Sequence, residues 1–194
     1  ERALVRTQFV SGTHALATVL FGILRPGDRL VSITGTPYDT MQTVIGWAHE
    51  SCGSLREFGV SYDELPMHEG RVDLDGIAHI VTPETKVALV QRSRGYSERQ
   101  PLSIADIRAV SARIKAANPN CIVFVDNCYG EFVETEEPTA IADVDIMAGS
   151  LIKNPGGGLA PTGGYIAGRS DLVEMASYRL TAPGMGDELG ASLI

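Results

Sequence analysis

Lys153 follows a predicted buried strand over residues 144–149, inside Ser150-Leu151-Ile152-Lys153-Asn154, and leads into the run Pro155-Gly156-Gly157-Gly158. An amine at the end of a core strand is placed for chemistry rather than for solubility. Upstream, Cys121-Ile122-Val123-Phe124-Val125 ends in Asp126-Asn127-Cys128-Tyr129, so a carboxylate and a phenol leave the end of a second core strand. An amine can form a Schiff base with an aldehyde, and a carboxylate can hold a pyridine nitrogen protonated, making the ring an acceptor for carbanion electrons. Lys153 and Asp126 fit these two roles in a pyridoxal phosphate site. A phosphate group also needs backbone N–H donors at a helix N-terminus. Ser11-Gly12-Thr13-His14 supplies them directly before the apolar run Ala15 to Phe21, and Gly12 permits close approach.

The elements that must position these groups alternate along the chain. Helices are predicted over residues 13–24, 39–49, 73–81, 103–117 and 170–180, with Ser103 as the N-cap of the fourth. Strands are predicted over 29–33, 54–58, 86–91, 121–125, 144–149 and 163–167, and a polar loop over 92–101. Helix and strand in alternation imply an α/β fold of three layers (αβα), with a mostly parallel sheet covered on both faces. In such sheets ligands bind beyond the carboxyl ends of the strands, where Asp126 and Lys153 both fall.

Composition bounds the function. The chain has 194 residues, 44% of them hydrophobic, enough for one substantial core. A net charge of -8 disfavours a nucleic-acid or acidic-membrane surface and points to a small-molecule ligand. Three cysteines, Cys52, Cys121 and Cys128, fit core packing rather than a disulfide framework or zinc site, and a reducing cytoplasm is the default compartment. His49, His68 and His79 lack ligand spacing and read as surface or helix residues, so no metal site is expected. No apolar segment has the length of a membrane span. The chain begins at Glu1 and stops within an apolar stretch that reads as a helix beginning after Gly186, so residues 1–194 are expected to be one domain of a longer enzyme.

The motifs Ser11-Gly12-Thr13-His14, Gly35-Thr36-Pro37-Tyr38-Asp39-Thr40, Val125-Asp126-Asn127-Cys128-Tyr129-Gly130-Glu131-Phe132 and Ser150-Leu151-Ile152-Lys153-Asn154 occur in the order of the aspartate-aminotransferase fold. The chain resembles the Cys/Met-metabolism branch of those pyridoxal phosphate enzymes, in particular the methionine gamma-lyase-like, aluminium-resistance group, through Lys153 to Tyr165. The resemblance implies a pyridoxal phosphate-binding large domain lacking an N-terminal arm and a C-terminal small domain. Lys153 would carry the Schiff base, Asp126 would pair with the ring nitrogen, and Tyr38 would stack on the ring. Gly12, Thr13 and Ser150 would hold the phosphate, with His14 touching either phosphate or ring. Either Tyr129 or Asn127 would bond the ring hydroxyl. A homodimer or homotetramer acting on an amino acid is implied, as a carbon–sulfur lyase of methionine gamma-lyase or cystathionine beta-lyase type.

Other readings stand beside this one. The same early proton transfers serve an aminotransferase, and a non-catalytic assembly domain could keep the fold. Ser150-Leu151-Ile152-Lys153 formally matches the Ser-x-x-Lys of penicillin-binding proteins, although that serine should open a helix and proline and glycine follow Lys153. Arg92 and Arg94 either clamp a substrate carboxylate or phosphate or are solvated.

Overall fold

A seven-stranded sheet organises the chain, in the order β1-β7-β6-β5-β4-β2-β3. The structure is a computed structural model that describes residues 1–47 and 52–187. The strands are β1 (Arg2–Arg6), β2 (Arg29–Ser32), β3 (Ser61–Glu64), β4 (Thr85–Gln91), β5 (Ile122–Asp126), β6 (Ile146–Ser150) and β7 (Gly164–Gly168). The helices are α1 (Gly12–Ile23), α2 (Asp39–Ile45), α3 (Ile77–Ile80), α4 (Ile104–Ala117) and α5 (Ser170–Ser177). Strands β3, β2, β4, β5 and β6 run parallel, and β7 and β1 close one edge antiparallel. The expected α/β sheet with two covered faces is therefore present.

The period of two in the strands divides the core into two layers. Val87 and Leu89 of β4 pack with Leu16 and Leu20 of α1, Met41 of α2 and Val173 of α5. Ala88 and Val90 face the other way, with Ile77 of α3 and Ile107, Val110 and Ile114 of α4. Because both faces are buried, β4 and β5 are continuous apolar runs, which is why they are legible in the sequence. Helix α4 starts where Ser103 predicts: its hydroxyl accepts from the Asp106 N–H, and the Asp106 side chain accepts in return from the Ser103 N–H, satisfying two amides at the helix start.

Two strands depart from expectation. Residues 54–58 form turns rather than a strand, since Arg56, Glu57 and Phe58 are exposed and Gly59 turns the chain at φ 83°. The strand lies later, at β3, where Ser61-Tyr62-Asp63-Glu64 pairs only with β2 and buries no residue fully. An edge strand of that kind carries little hydrophobic signal. Strand β1 escaped notice for the same reason, being another edge of five residues of which only Leu4 is fully buried. Cys121 and Cys128 are buried, but Cys52 is exposed in a turn and takes no part in the core. His68 and His79 are exposed. The helix expected over 39–49 ends earlier, at Ile45, where Gly46 turns the chain at φ 83°. His49 and the helix expected after Gly186 lie outside the described residues. Among the described residues no helix is long and apolar enough to cross a membrane.

At the opposite end of the sheet from Asp126 and Lys153, Asp145 pins three elements together. Its carboxylate accepts from Lys115 of α4 at 2.7 Å, from Arg169 before α5 at 3.0 Å, and from the Val123 N–H of β5 at 2.8 Å. Asp145→Asn keeps the shape and loses the charge-assisted bonds, so unfolding free energy should fall by about 1.5–3 kcal/mol, read as a lower urea midpoint at unchanged slope.

Candidate active site

Strand pairing sets the site at the carboxyl edge of the sheet. Gln91, Asp126 and Ala148 lie in register across β4, β5 and β6, and the Asn127 N–H extends the β5–β6 ladder to the Ala148 carbonyl at 2.9 Å. Beyond that line the chains separate, leaving an open cleft of about 980 Å³ whose wall includes Thr13, Tyr38, Asp126, Cys128, Tyr129 and Lys153. Residues far apart in sequence are thereby brought to one place.

Asp126 is only 3% exposed. Its Oδ1 accepts from the Cys128 N–H at 3.0 Å, and among the described residues it forms no ion pair. Burial raises its carboxyl above the ordinary range, against smaller opposing effects from the Cys128 amide and the Lys153 charge. Lys153 comes three residues after β6 ends, and its Nζ lies 4.1 Å from the centre of the Tyr129 ring. That cation–π contact orients the amine toward the cleft side of the Asp126 loop. The Ser-x-x-Lys reading fails on this geometry: Ser150 ends a strand and is fully buried.

Helix α1 supplies the second wall. Ser11 caps it by accepting from the His14 N–H at 3.1 Å. Among the described residues nothing accepts from the Gly12 and Thr13 amides, so two donors and the positive end of the helix dipole remain available. A Cβ at Gly12 would lie 2.9 Å from Cys128 Sγ and 3.1 Å from Ser150 Cβ, so only glycine lets the helix approach β5 and β6 this closely. Thr13 Oγ1 lies 3.1 Å from the Tyr38 hydroxyl, and the Tyr38 N–H donates to Gln91 Oε1 at 3.2 Å. Burial, reinforced by the Asp126 charge, pushes the Tyr38 phenol upward and keeps it neutral. His14 is outside this cleft: its Nδ1 accepts from the Val10 N–H at 3.2 Å and its ring stands edge-on to Phe9.

Asn127 and Arg92 do other work than the sequence suggested. Asn127 is fully buried, accepting from Arg92 at 2.8 Å and donating to Glu137 at 2.8 Å and to the Tyr165 hydroxyl at 3.0 Å. That leaves Tyr129, not Asn127, on the cleft wall. Arg92, 2% exposed, also donates to the Gly130 carbonyl, the Leu102 carbonyl and Glu134. Its fork holds the loop after Asp126, and the side chain also lines the cleft. Arg94 is exposed on the cleft wall, and among the described residues its side chain has no partner. Sequence reading missed Gln91 and Asn154, whose amides bond Tyr38 and the Asp126 loop. The signal available for each was only its place next to a strand end or a site residue.

Two stability changes follow. Asp126 has a folded-state pKa above its unfolded value of about 3.9, so the unfolded chain loses its proton first as pH rises and stability falls across that window. Asp126→Asn should therefore stabilise the cofactor-free protein at pH 7, by about 1.4 kcal/mol for each unit of the raised value, with no gain below pH ~4, as urea midpoints would show. Arg92→Ala should cost about 3–5 kcal/mol by leaving Asn127 Oδ1 and the Gly130 and Leu102 carbonyls without their donor, and Arg92→Lys should recover little because an ammonium lacks the planar fork; thermal unfolding checks both.

Comparison with known proteins accords with this arrangement. The methionine gamma-lyase family matches residues 1–194. The Bacillus subtilis protein YnbB, uncharacterized, is 51% identical over 195 residues, covering 100% of this chain and 46% of that protein. The structure of a candidate cystathionine beta-lyase involved in aluminum resistance from Listeria monocytogenes superposes with a TM-score of 0.95 at 56% identity, covering 100% of this chain and 49% of that one. A carbon-sulfur lyase involved in aluminum resistance from Clostridium novyi gives a TM-score of 0.90 at 48% identity over 96% of this chain and 44% of that one. This chain thus spans about half the length of these relatives. With the match running from the first residue to the last and the sheet superposing throughout, the chain belongs to the methionine gamma-lyase family.

Proposed function

We propose that this chain is the cofactor-bearing part of a pyridoxal phosphate-dependent carbon–sulfur lyase that acts on a sulfur amino acid. The observation that carries the reading is Asp126: a buried carboxylate without an ion pair faces a cleft that also holds a lysine amine. Burying an uncompensated carboxylate is costly, and a protonated ring nitrogen is the partner that would offset it. The remaining donors fit the same group. The free Gly12 and Thr13 amides, with the Thr13 and Ser150 hydroxyls, would hold a phosphate dianion at the α1 N-terminus, which the absent Gly12 Cβ lets pack against Cys128 and Ser150. The neutral Tyr38 ring would stack on the cofactor, and Tyr129 is the phenol on the wall beside Lys153. A cleft of about 980 Å³ is ample for cofactor and amino acid together.

When bound, pyridoxal phosphate supplies an electron sink conjugated with the substrate Cα. Lys153 Nζ is the amine that would hold the cofactor and, once freed, the base that would take the Cα proton. Asp126 would keep the opposing proton on the ring nitrogen, its negative charge stabilised by the Cys128 amide. Cys128 itself is no nucleophile: burial raises its thiol far above the physiological range, with Asp126 adding to the effect. The relatives named as a carbon-sulfur lyase and a candidate cystathionine beta-lyase support elimination of a thiol as the outcome. A homo-oligomer in the cytoplasm completes the reading.

The test is borohydride reduction of the full-length protein after mixing with pyridoxal phosphate, followed by peptide mass mapping and assays for thiol and 2-oxo acid release from sulfur amino acids. The adduct should map to Lys153, and Lys153→Ala should lose it together with about 10²–10⁴-fold or more in turnover. Oxo-acid formation without thiol release would point to aminotransfer. A folded full-length protein with no adduct would overturn the enzyme reading in favour of an assembly domain.

A further inference from the structure

Lys153 sits at the base of a long glycine-rich excursion between β6 and β7. Gly157, Gly158 and Gly163 all have positive φ there, and Leu159 is 91% exposed. Such a loop is poorly constrained by its own packing, yet the amine it carries must be held to a fraction of an ångström for proton transfer. The two ends of the loop are tied: Leu151 N–H donates to the Gly163 carbonyl and Ile152 N–H to Ser150 Oγ before the lysine, and Thr162 and the Gly163 N–H reach the Thr7 and Phe9 carbonyls at the far end. Among the described residues, the side chain that ties the lysine's end of the loop to the β5 side is Asn154.

The Asn154 carboxamide reaches across from the β6 side to the β5 side. Its Nδ2 donates to the Tyr129 carbonyl at 3.1 Å and to the Glu131 carbonyl at 3.0 Å. Those acceptors lie in a segment of unusual backbone, with Tyr129 at φ 67° and Phe132 at φ 62°, values that L-residues adopt only when the surroundings enforce them. The segment is anchored from below: Glu131 accepts from the Tyr165 hydroxyl at 2.9 Å, in space that exists because a Cβ at Gly149 would lie 2.5 Å from Glu131 Oε1. One amide group thus joins the loop of the amine to the loop that turns the Tyr129 ring beneath it, 4.1 Å from Nζ.

We propose that Asn154 is a positioning residue for Lys153: by fastening the Tyr129 and Glu131 carbonyls it holds the Tyr129 ring under the amine and fixes where the amine points. The catalytic consequence rests on the proposed lyase reading, whereas the geometric one does not. Asn154→Asp tests it with the same shape, since a carboxylate has no N–H to donate and faces two carbonyl oxygens. Asn154→Ala tests it without added charge.

The experiment uses full-length wild type, Asn154→Asp and Asn154→Ala. Cofactor-free protein is treated with acetic anhydride at one pH, and modification of Lys153 is compared with that of exposed Lys86 by peptide mass mapping. Released from the ring, Lys153 should react about fivefold faster in both variants while Lys86 is unchanged. In loaded enzyme kcat should fall about tenfold or more at unchanged KM, so that the amine is more reactive but the enzyme slower. In a Tyr129→Leu background, Asn154→Asp should add nothing further to the Lys153 rate. Unchanged Lys153 labelling, equal acceleration at Lys86, or full additivity with Tyr129→Leu would each overturn the proposal. A wild type that takes up no cofactor would sink the lyase reading instead, and the labelling would still decide the role of Asn154.

Discussion

Parallel pairing of β5 with β6 is the constraint on which the site depends. Asp126 opposite Ala148, extended by the Asn127 amide, brings the carboxylate of Asp126 and the amine of Lys153 to the same edge of the sheet. A slip of one residue would turn Asp126 to the other face of the sheet, toward Tyr165 and α4, and leave the cleft with an amine and no carboxylate. The apolar layers above and below protect against that slip, because Phe124 and Val125 are committed to opposite layers and cannot exchange.

Polar groups beneath the sheet edge finish what the strands begin. Arg92, Asn127, Glu131, Glu137 and Tyr165 bond one another and the carbonyls of the Asp126 loop. A buried network of this kind is stable only when its members are satisfied. Among the described residues Glu131 Oε2 is buried without a hydrogen-bond partner, and burial raises that carboxyl against smaller opposing effects from backbone amides, the Tyr165 hydroxyl and the Lys153 charge. The cleft and the network meet at Arg92. Arg92 and Glu134 belong to both, since they line the cleft while holding one another and the loop after Asp126.

The contrast between Arg92 and Lys153 shows where sequence reading reaches its limit. Both are cations following a strong core strand. The placement of Asp126, Lys153 and the Ser11-Gly12-Thr13 cap was legible because strand and helix ends are marked by apolar runs. Whether an arginine faces ligand or carbonyl depends on what the neighbouring chain segments present, and Arg92 meets Asn127, Gly130 and Leu102 from two other loops. The resemblance left His14 to touch either phosphate or ring, but on a helix adjacent residues diverge, and Thr13 takes the cleft side while His14 meets Val10 and Phe9.

The α/β class, the central strands and the start of α4 were determined by the sequence itself, because burial on both faces writes continuous apolar runs and helix ends demand capping groups. Tertiary structure alone decided the edge strands β1 and β3, the commitment of Arg92 and Asn127 to the scaffold, and the bridge from Asn154 to the Tyr129 loop. The physical reason is common to all three. Edge pairing and side-chain to backbone bonds are satisfied by partners distant in sequence, and a polar residue carries no local mark of which distant carbonyl or strand will be its neighbour.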